Sequence, residues 1–165
     1  MISDIIEKHS PPGYSVRSEL NTLYAGLGLS LFFSLGFFAK YFASLNALYD
    51  IDEGKRFLRE NVKCEDFADI LGIYLTGFIF TAVVMLFFML ARKLYTITAS
   101  KSIYTLRRLP EKGIEIRYFI LMPLIYAIIS LLAGFLVLTV YYAIYMLATP
   151  NECITAAQWY KIWRL

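Results

Sequence analysis

The sequence predicts an all-α integral membrane protein with three transmembrane helices, its N-terminus inside and its C-terminus outside, plus a short interfacial C-terminal helix. Hydrophobic residues make up 59% of the chain, whereas soluble domains are about 45–50% apolar. The apolar residues gather into three blocks, and nearly all of the charge falls between them. Each block is long enough for one crossing, which needs roughly 20 residues, and such continuous runs are untypical of a β-barrel.

Seven segments follow in chain order from these blocks and the connections between them. They are a cytoplasmic N-terminal tail (1–19), transmembrane helix 1 (20–49), an extracellular acidic loop (50–69), transmembrane helix 2 (70–91), a cytoplasmic basic loop (92–117), transmembrane helix 3 (118–148) and an extracellular tail with an amphipathic aromatic helix (149–165).

The charges of the two loops predict the orientation. The 92–117 loop carries seven Lys and Arg against two Glu, a net charge of +5, whereas the 50–69 loop has four basic and seven acidic residues, a net charge of −3. Lys and Arg near the ends of spans favour the cytoplasmic side. We therefore expect the basic loop inside and the acidic loop outside. Within the acidic loop, Asp52 or Glu53 is expected to begin a helix through about Asn61.

This orientation puts both cysteines, Cys64 and Cys153, outside, in a compartment that permits oxidation. We expect a disulfide that ties the acidic loop to the C-terminal tail. The alternative is two free thiols. Two cysteines without a nearby histidine do not make a tetrahedral set, so no metal site is expected.

The tail contains a pattern typical of a helix start. Thr155 is predicted as the N-cap, with Gln158 at the third helical position. Trp159 and Trp163 then fall on one apolar face and are candidate anchors at the membrane interface. Packing of this helix against the acidic loop is the competing interpretation.

Small residues recur at helical spacing within two of the apolar blocks. Such faces let helices approach closely. They indicate either docking to a partner chain or packing among the chain's own three helices. The residues concerned are Gly26, Ser30 and Ser34 in the first block and Ser130 and Gly134 in the third.

The blocks hold little that could carry a reaction. Lys40 is the one ionisable residue inside a block, and it lies toward the outer end, where its ammonium group can reach water. No phosphate-binding loop and no catalytic set is visible in the sequence. We therefore expect no enzyme activity and no cofactor. The basic cluster is short and close to the membrane, so binding of nucleic acid is not expected.

The segment Ser100–Gly113, SKSIYTLRRLPEKG, is the most distinctive part of the basic loop. Its Thr105-Leu106 and Leu109-Pro110 resemble the turn between the second and third spans of type-2 ABC exporter permeases. A closer resemblance is to small membrane proteins encoded beside ABC exporters in Clostridia and related bacteria. It rests on the stretch Lys101–Pro110, on the long last span, and on Cys153, Gln158-Trp159 and Trp163-Arg164 in the tail.

This resemblance implies a multi-pass protein of the bacterial plasma membrane that is a non-catalytic subunit or accessory of an ABC exporter. Its partners would be membrane lipids and the permease and ATPase subunits, and self-association stays open. Tyr104, Arg107, Arg108 and Pro110 are the candidate contact residues. The chain lacks a Walker motif, so any ATP hydrolysis would come from another subunit. The alternatives are a stand-alone sensor or resistance protein for membrane-active agents, and arginines that only determine topology.

Overall fold

The computed structural model describes residues 16–52, 55–58, 63–98 and 120–163, and apart from one hairpin their regular structure is helical. The predicted all-α fold is confirmed. The elements in chain order are α1 (Val16–Ser34), α2 (Gly36–Ala47), β1 (Tyr49–Asp52), β2 (Lys55–Leu58), α3 (Phe67–Leu71), α4 (Thr76–Thr98), α5 (Met122–Ala148), a 3₁₀ turn (Asn151–Cys153) and α6 (Gln158–Ile162).

Three helical stretches are long and apolar enough to cross a membrane, as the sequence predicted. They are Arg17–Ala47, Thr76–Leu94 and Met122–Ala148. The shortest has 19 residues, which at 1.5 Å per residue covers about 28 Å, close to the roughly 30 Å hydrocarbon core of a bilayer. Between 22% and 33% of the most apolar window of each stretch is buried in the protein. Most of their surface therefore faces outward, as a membrane protein requires.

The first stretch is interrupted at Leu35, between α1 and α2. Around it, the Leu35 N–H donates to the Phe32 carbonyl at 3.2 Å, and the Leu35 carbonyl accepts from the Phe38 N–H at 3.0 Å. These three-residue bonds are a tight 3₁₀-type turn. The next residue, Gly36, lies against a ring: a Cβ there would be 2.4 Å from Cε1 of Tyr74. Only glycine permits that approach.

The segment after α2 is a hairpin, so the helix expected from Asp52 or Glu53 is wrong. Strands β1 and β2 pair antiparallel, with Tyr49 opposite Leu58 and Asp52 opposite Lys55. The alternation of apolar and acidic residues in Tyr49–Asp52 has the period of two that suits a strand. The acidic residues were better explained by that alternation than by a helix N-terminus.

Helix α3 ends at Gly72, whose φ of 44° lies in the left-handed region that favours glycine. As a result the second spanning helix does not begin at Ile70 but at Thr76. Residues 72–75 form a turn between α3 and the span.

The chain divides into two compact units. The first unit contains residues 1–30 and 77–134, and the second contains residues 31–76 and 135–165. The core of the first unit is aliphatic and small, with one tyrosine: Leu23, Ala82, Met85, Met122, Tyr126 and Ala127. The second unit is built on an aromatic core: Phe37, Tyr41, Phe67, Tyr141 and Tyr145.

Candidate functional site

The residues predicted to contact a partner lie outside the described part of the chain. Tyr104, Arg107, Arg108 and Pro110 all fall between residues 99 and 119. Their role stays a prediction. The remaining sequence-predicted residues are described, and they fall into several clusters that the structure assembles.

In the first unit, the small residues of α1 pack against α4. A Cβ on Gly26 would lie 2.6 Å from Cγ2 of Thr81. The Ser30 hydroxyl oxygen lies 2.7 Å from the Gly26 carbonyl and 3.1 Å from the Thr81 hydroxyl. A close approach of two helix backbones through small residues, joined by a hydroxyl pair, is a common way to hold spans together.

The small residues of α5 make an equivalent contact. The Ser130 hydroxyl donates to the Phe78 carbonyl at 2.9 Å, and a Cβ on Gly134 would lie 2.9 Å from the Cβ of Phe78. In the second unit, the Ser34 hydroxyl lies 2.9 Å from that of Tyr141. These small residues thus pack against the chain's own helices, which is one of the two interpretations that the sequence left open.

A fully buried ion pair was missed from the sequence. In the first unit, Arg92 on α4 donates through Nε to Glu19 Oε1 at 2.7 Å and through a terminal guanidinium nitrogen to Oε2 at 2.5 Å. Both side chains are 0% exposed. Two parallel bonds between a guanidinium and a carboxylate fix distance and orientation together. Both residues sit just beyond the edges of the predicted apolar blocks, so they were treated as loop charges; their opposite signs at neighbouring helix ends were the available signal.

The Tyr126 hydroxyl is a further buried polar group of the first unit. It is the one buried side-chain polar atom without a hydrogen-bond partner among the described residues. The residue is 4% exposed and packs in the core of the first unit. Glu19 and Arg92 both lie within electrostatic range of this hydroxyl. The three polar side chains come from three different spanning helices.

The cysteines predicted to pair lie side by side in the second unit. The Cys64 N–H donates to the Cys153 carbonyl at 3.0 Å, and both residues are buried. Both thiols are free in the structure. The Cys64 sulfur lies 3.5 Å from the Ser44 hydroxyl. The structure therefore brings the two backbones together, and the bond between the sulfurs stays a prediction.

Next to the cysteines, four polar side chains form what we call the tail clasp: Asp66, Thr155, Gln158 and Lys161. The Asp66 carboxylate accepts from the Lys161 ammonium at 2.7 Å, from the Gln158 amide at 3.0 Å and from the Thr155 hydroxyl. The Gln158 Oε1 accepts the buried N–H of Phe67 at 2.9 Å. The clasp holds the C-terminal tail against α3, as the competing interpretation of the tail proposed.

The predicted helix start at Thr155 is wrong, because this residue belongs to the clasp. Helix α6 begins at Gln158, after Ala157 in a left-handed conformation with φ 63°. The Gln158 amide still reaches back to the Thr155 carbonyl at 3.1 Å. Hydrogen bonds to a side chain from another element have replaced the backbone cap that the local sequence suggested.

The clasp also changes the acidity of Asp66. Hydrogen bonds from Lys161 and then Thr155, the largest causes, lower the pKa of this carboxyl from 3.8 to about 2, against the opposing effect of partial burial. The carboxylate form is thus the one that the clasp binds.

The two predicted interfacial anchors have different surroundings. The Trp159 ring packs edge-on to Tyr142, with centroids 5.0 Å apart, and lies 5.8 Å from the ring of Trp163. Trp163 is 61% exposed and its neighbour Tyr160 is 71% exposed. Trp159 is therefore part of the fold, while the other two rings form an exposed aromatic edge.

Lys40, the ionisable residue inside the first apolar block, also finds partners. Its ammonium nitrogen donates to the Asp69 carbonyl and lies 3.9 Å from the Glu65 carboxylate. Neither Lys40 nor Glu65 is buried, which agrees with an ammonium group that reaches the polar end of its helix.

Many of the described polar side chains join helices to each other or hold the tail against α3. No group of three or more His, Cys, Asp and Glu side chains in residues 16–52, 55–58, 63–98 and 120–163 is placed to hold a metal ion. Comparisons of the chain with protein-family models, curated proteins and solved structures found no match.

Proposed function

We propose that the chain is a non-catalytic subunit or accessory of a bacterial ABC exporter in the plasma membrane. The observation that carries the proposal is the loop sequence Lys101–Pro110, which resembles that of exporter-associated membrane proteins. The loop has a net charge of +5, so Arg107 and Arg108 would contact an acidic surface of the ATPase or permease, or anionic lipid headgroups. The activity of the assembly would come from the ATPase subunit.

The outward surface of the spans supports a role in the membrane through contacts. Large apolar side chains point away from the protein along all three spans, including Phe32 (76% exposed), Leu132 (62%) and Leu147 (87%). A monomeric soluble protein rarely exposes apolar patches on this scale. Lipid chains and the helices of a permease are the partners that such a surface accepts.

We expect the basic loop to lie in the cytoplasm and the acidic loop and tail outside. This orientation is supported by the Lys and Arg asymmetry of the two loops. It is tested by single cysteines at Ser102 and Glu152 in a chain whose own cysteines are replaced by alanine. A membrane-impermeant thiol reagent should label Glu152→Cys in intact cells, and Ser102→Cys only after lysis. The reverse pattern contradicts the orientation.

Association with an exporter is tested by purification in mild detergent after cross-linking in cells. The wild-type chain should retain an ABC permease or ATPase. Arg107→Glu with Arg108→Glu should lose it while the labelling pattern above stays unchanged. Lys101→Glu with Lys112→Glu is the matched control, because it makes the same charge change in the same loop. Isolation of the wild type without any ABC component would contradict the proposal, and inverted labelling of the arginine variant would make these residues topology determinants.

A disulfide between Cys64 and Cys153 is part of the same proposal. The backbone hydrogen bond between Cys64 and Cys153 brings the two residues together, and a disulfide requires Cα atoms about 4.4–6.8 Å apart. With both residues outside the membrane, oxidation would fix the tail to α3. Intact mass before and after reduction and alkylation tests it: the oxidised protein takes up alkyl groups only after reduction. Two thiols that react in the unreduced, denatured protein would contradict it.

The exposed aromatic edge favours a second candidate, a stand-alone protein that senses or resists membrane-active agents. Tyr160 and Trp163 are the exposed rings of the tail, and amphipathic rings of this kind suit the membrane interface. Binding of a membrane-active peptide to the purified chain alone, lost in Trp163→Ala and kept in the loop variant with Arg107→Glu and Arg108→Glu, would favour this candidate over the exporter subunit.

A further inference from the structure

Burial of the Glu19–Arg92 pair costs desolvation free energy. Both side chains are completely buried and joined by two hydrogen bonds. Removing two charges from water carries a large desolvation penalty that their mutual attraction roughly offsets, so such a pair adds little stability over well-packed apolar residues. The pair instead discriminates between alternative packings of α1 against α4. Any arrangement of the helices that separates the partners loses both of these hydrogen bonds, which are strong in a medium of low dielectric constant.

The discrimination is strict because of helix geometry. Sliding one helix along another by one turn moves a side chain by about 5.4 Å, which breaks both hydrogen bonds between Arg92 and Glu19. The apolar contacts around the pair are less selective. Gly26, Ser30 and Thr81 define a close approach, but the neutral hydroxyl contact there is a weaker interaction than a doubly hydrogen-bonded ion pair. The ion pair is therefore the feature that separates one register of α1 and α4 from the next.

The third spanning helix contributes Tyr126. This residue packs in one core with Leu23, one turn from Glu19 on α1, and with Met85, two turns from Arg92 on α4. Its hydroxyl is buried without a hydrogen-bond partner in the described residues and is within range of both charges. A hydroxyl dipole in such a setting interacts more strongly with charges than it would in water.

We propose that Glu19, Arg92 and Tyr126 form one buried polar cluster that selects which faces of the three spanning helices pack together. Arg92 then acts in helix packing as a member of this cluster. In the sequence it counts as one of seven basic residues that set topology. In the cluster it is a packing partner of Glu19, and its charge is neutralised inside the fold. Losing it should affect packing, while the six basic residues that remain in the loop keep the orientation.

The register of α1 against α4 is measured with cysteines at two positions whose hydroxyls are in contact in the structure. Ser30 and Thr81 have oxygens 3.1 Å apart, so Ser30→Cys with Thr81→Cys reports the observed register. Ser30→Cys with Met85→Cys, one turn further along α4, reports a slipped one. Both pairs are made in a chain whose Cys64 and Cys153 are replaced by alanine. With Glu19 and Arg92 intact, oxidation should cross-link the first pair at least tenfold faster than the second.

The decisive variant is the double replacement Glu19→Leu with Arg92→Leu. It should keep or raise the melting temperature in detergent, because an apolar pair removes the cost of burying charge, while the cross-linking preference falls several-fold. An undiminished preference would overturn the proposal. The exchange Glu19→Arg with Arg92→Glu should restore the preference, because the pair is re-formed with its partners reversed; failure to restore it would also count against the proposal.

The single replacement Arg92→Leu separates packing from topology. It leaves the Glu19 carboxylate buried without this partner, so the melting temperature should fall by about 10 °C, with Glu152→Cys still labelled from outside. Arg17→Leu removes a basic residue from an exposed position near Glu19 and is the matched control, with little expected change. Inverted labelling for Arg92→Leu with an unchanged melting temperature would make Arg92 a topology signal and overturn the proposal.

The part played by Tyr126 is measured by a double-mutant cycle. Tyr126→Phe should lower the melting temperature by a few degrees more in the wild type than in the chain that carries Glu19→Leu with Arg92→Leu, because only the wild type has the charges that the hydroxyl senses. Equal effects in the two backgrounds would remove Tyr126 from the cluster.

Discussion

The two units of the molecule satisfy their buried polar groups in different ways. The first unit adds a charge pair, Glu19 with Arg92, to the neutral hydrogen bonds of Ser30 and Ser130, around a core of aliphatic and small side chains. The second unit has an aromatic core whose hydroxyls all find neutral partners: Tyr41 with Thr149, Tyr141 with Ser34, and Tyr145 with the Glu65 carbonyl.

The two units also differ in the kind of interaction that selects one packing of their side chains. Large rings interlock only in certain arrangements: Phe37 stacks on Tyr141 with centroids 4.6 Å apart, and Phe67 lies edge-on to Phe37. Shape alone can then select one packing. The aliphatic core of the first unit is less selective, and there a buried charge pair takes over that task. The following predictions test whether each unit depends on the feature assigned to it.

The largest effect is expected in the aromatic core. Phe37 is 0% exposed and contacts four other rings, so Phe37→Ala should destabilise the protein by about 3–5 kcal/mol. Phe32→Ala is the matched control, since that ring is 76% exposed on the same stretch. Unfolding in mixed micelles measures both. Similar losses for the two variants would mean that the aromatic core does not dominate the second unit.

The next effect tests the close approach of helices in the first unit. At Gly134 a Cβ would lie 2.9 Å from the Cβ of Phe78, whereas at Gly28 nothing lies within 4 Å. Gly134→Ala should therefore cost about 1–2 kcal/mol through overpacking, and Gly28→Ala should be neutral or stabilise by up to about 1 kcal/mol through helix propensity. Equal effects on the melting temperature would contradict the approach of α5 to Phe78.

Features that depend on local interactions could be predicted from the sequence more readily than features that depend on contacts between distant residues. Block length and hydropathy are local properties, and they identified all three spans. Tertiary contacts decided two of the features that were missed, the ion pair and the start of α6. Opposite signs near two helix ends were the one signal for Glu19 and Arg92, and that signal does not pair residues 73 positions apart. Thr155 has the local pattern of a helix cap, but its hydroxyl donates to Asp66 instead.

The small residues show a further limit of prediction from the sequence. Gly26, Ser30 and Gly134 lie where two helices approach closely. Spacing does not say whether the approaching helix belongs to the same chain. That depends on which faces the other two spans present, and Thr81 and Phe78, which meet these residues, carry no pattern of their own.

A smaller effect compares the hydroxyl pairs of the two units. The Ser34–Tyr141 oxygens are 2.9 Å apart and those of Ser30–Thr81 are 3.1 Å apart. Hydrogen bonds between spans contribute about 0.6 kcal/mol on average. Double-mutant cycles with Ser34→Ala and Tyr141→Phe, and with Ser30→Ala and Thr81→Val, should each give a coupling of that order. A coupling above about 2 kcal/mol in the first unit would assign its specificity to the hydroxyls instead of the ion pair.

The smallest effect concerns the tail clasp, where a charge does contribute to the second unit, but at an accessible site. The folded pKa of Asp66 is about 2 against an ordinary 3.8, so the carboxylate form stabilises the clasp above pH 3.8, and this stabilisation is lost as the pH falls through 2. Tryptophan fluorescence from Trp159 and Trp163 should follow that loss. Asp66→Asn keeps an amide oxygen for Thr155 and Gln158 but removes the charge that pairs with Lys161, so its fluorescence should not titrate in this window. A titration that persists in Asp66→Asn would come from another carboxyl and would show that the tail is held mainly by the Gln158 bond to the Phe67 N–H and by ring packing.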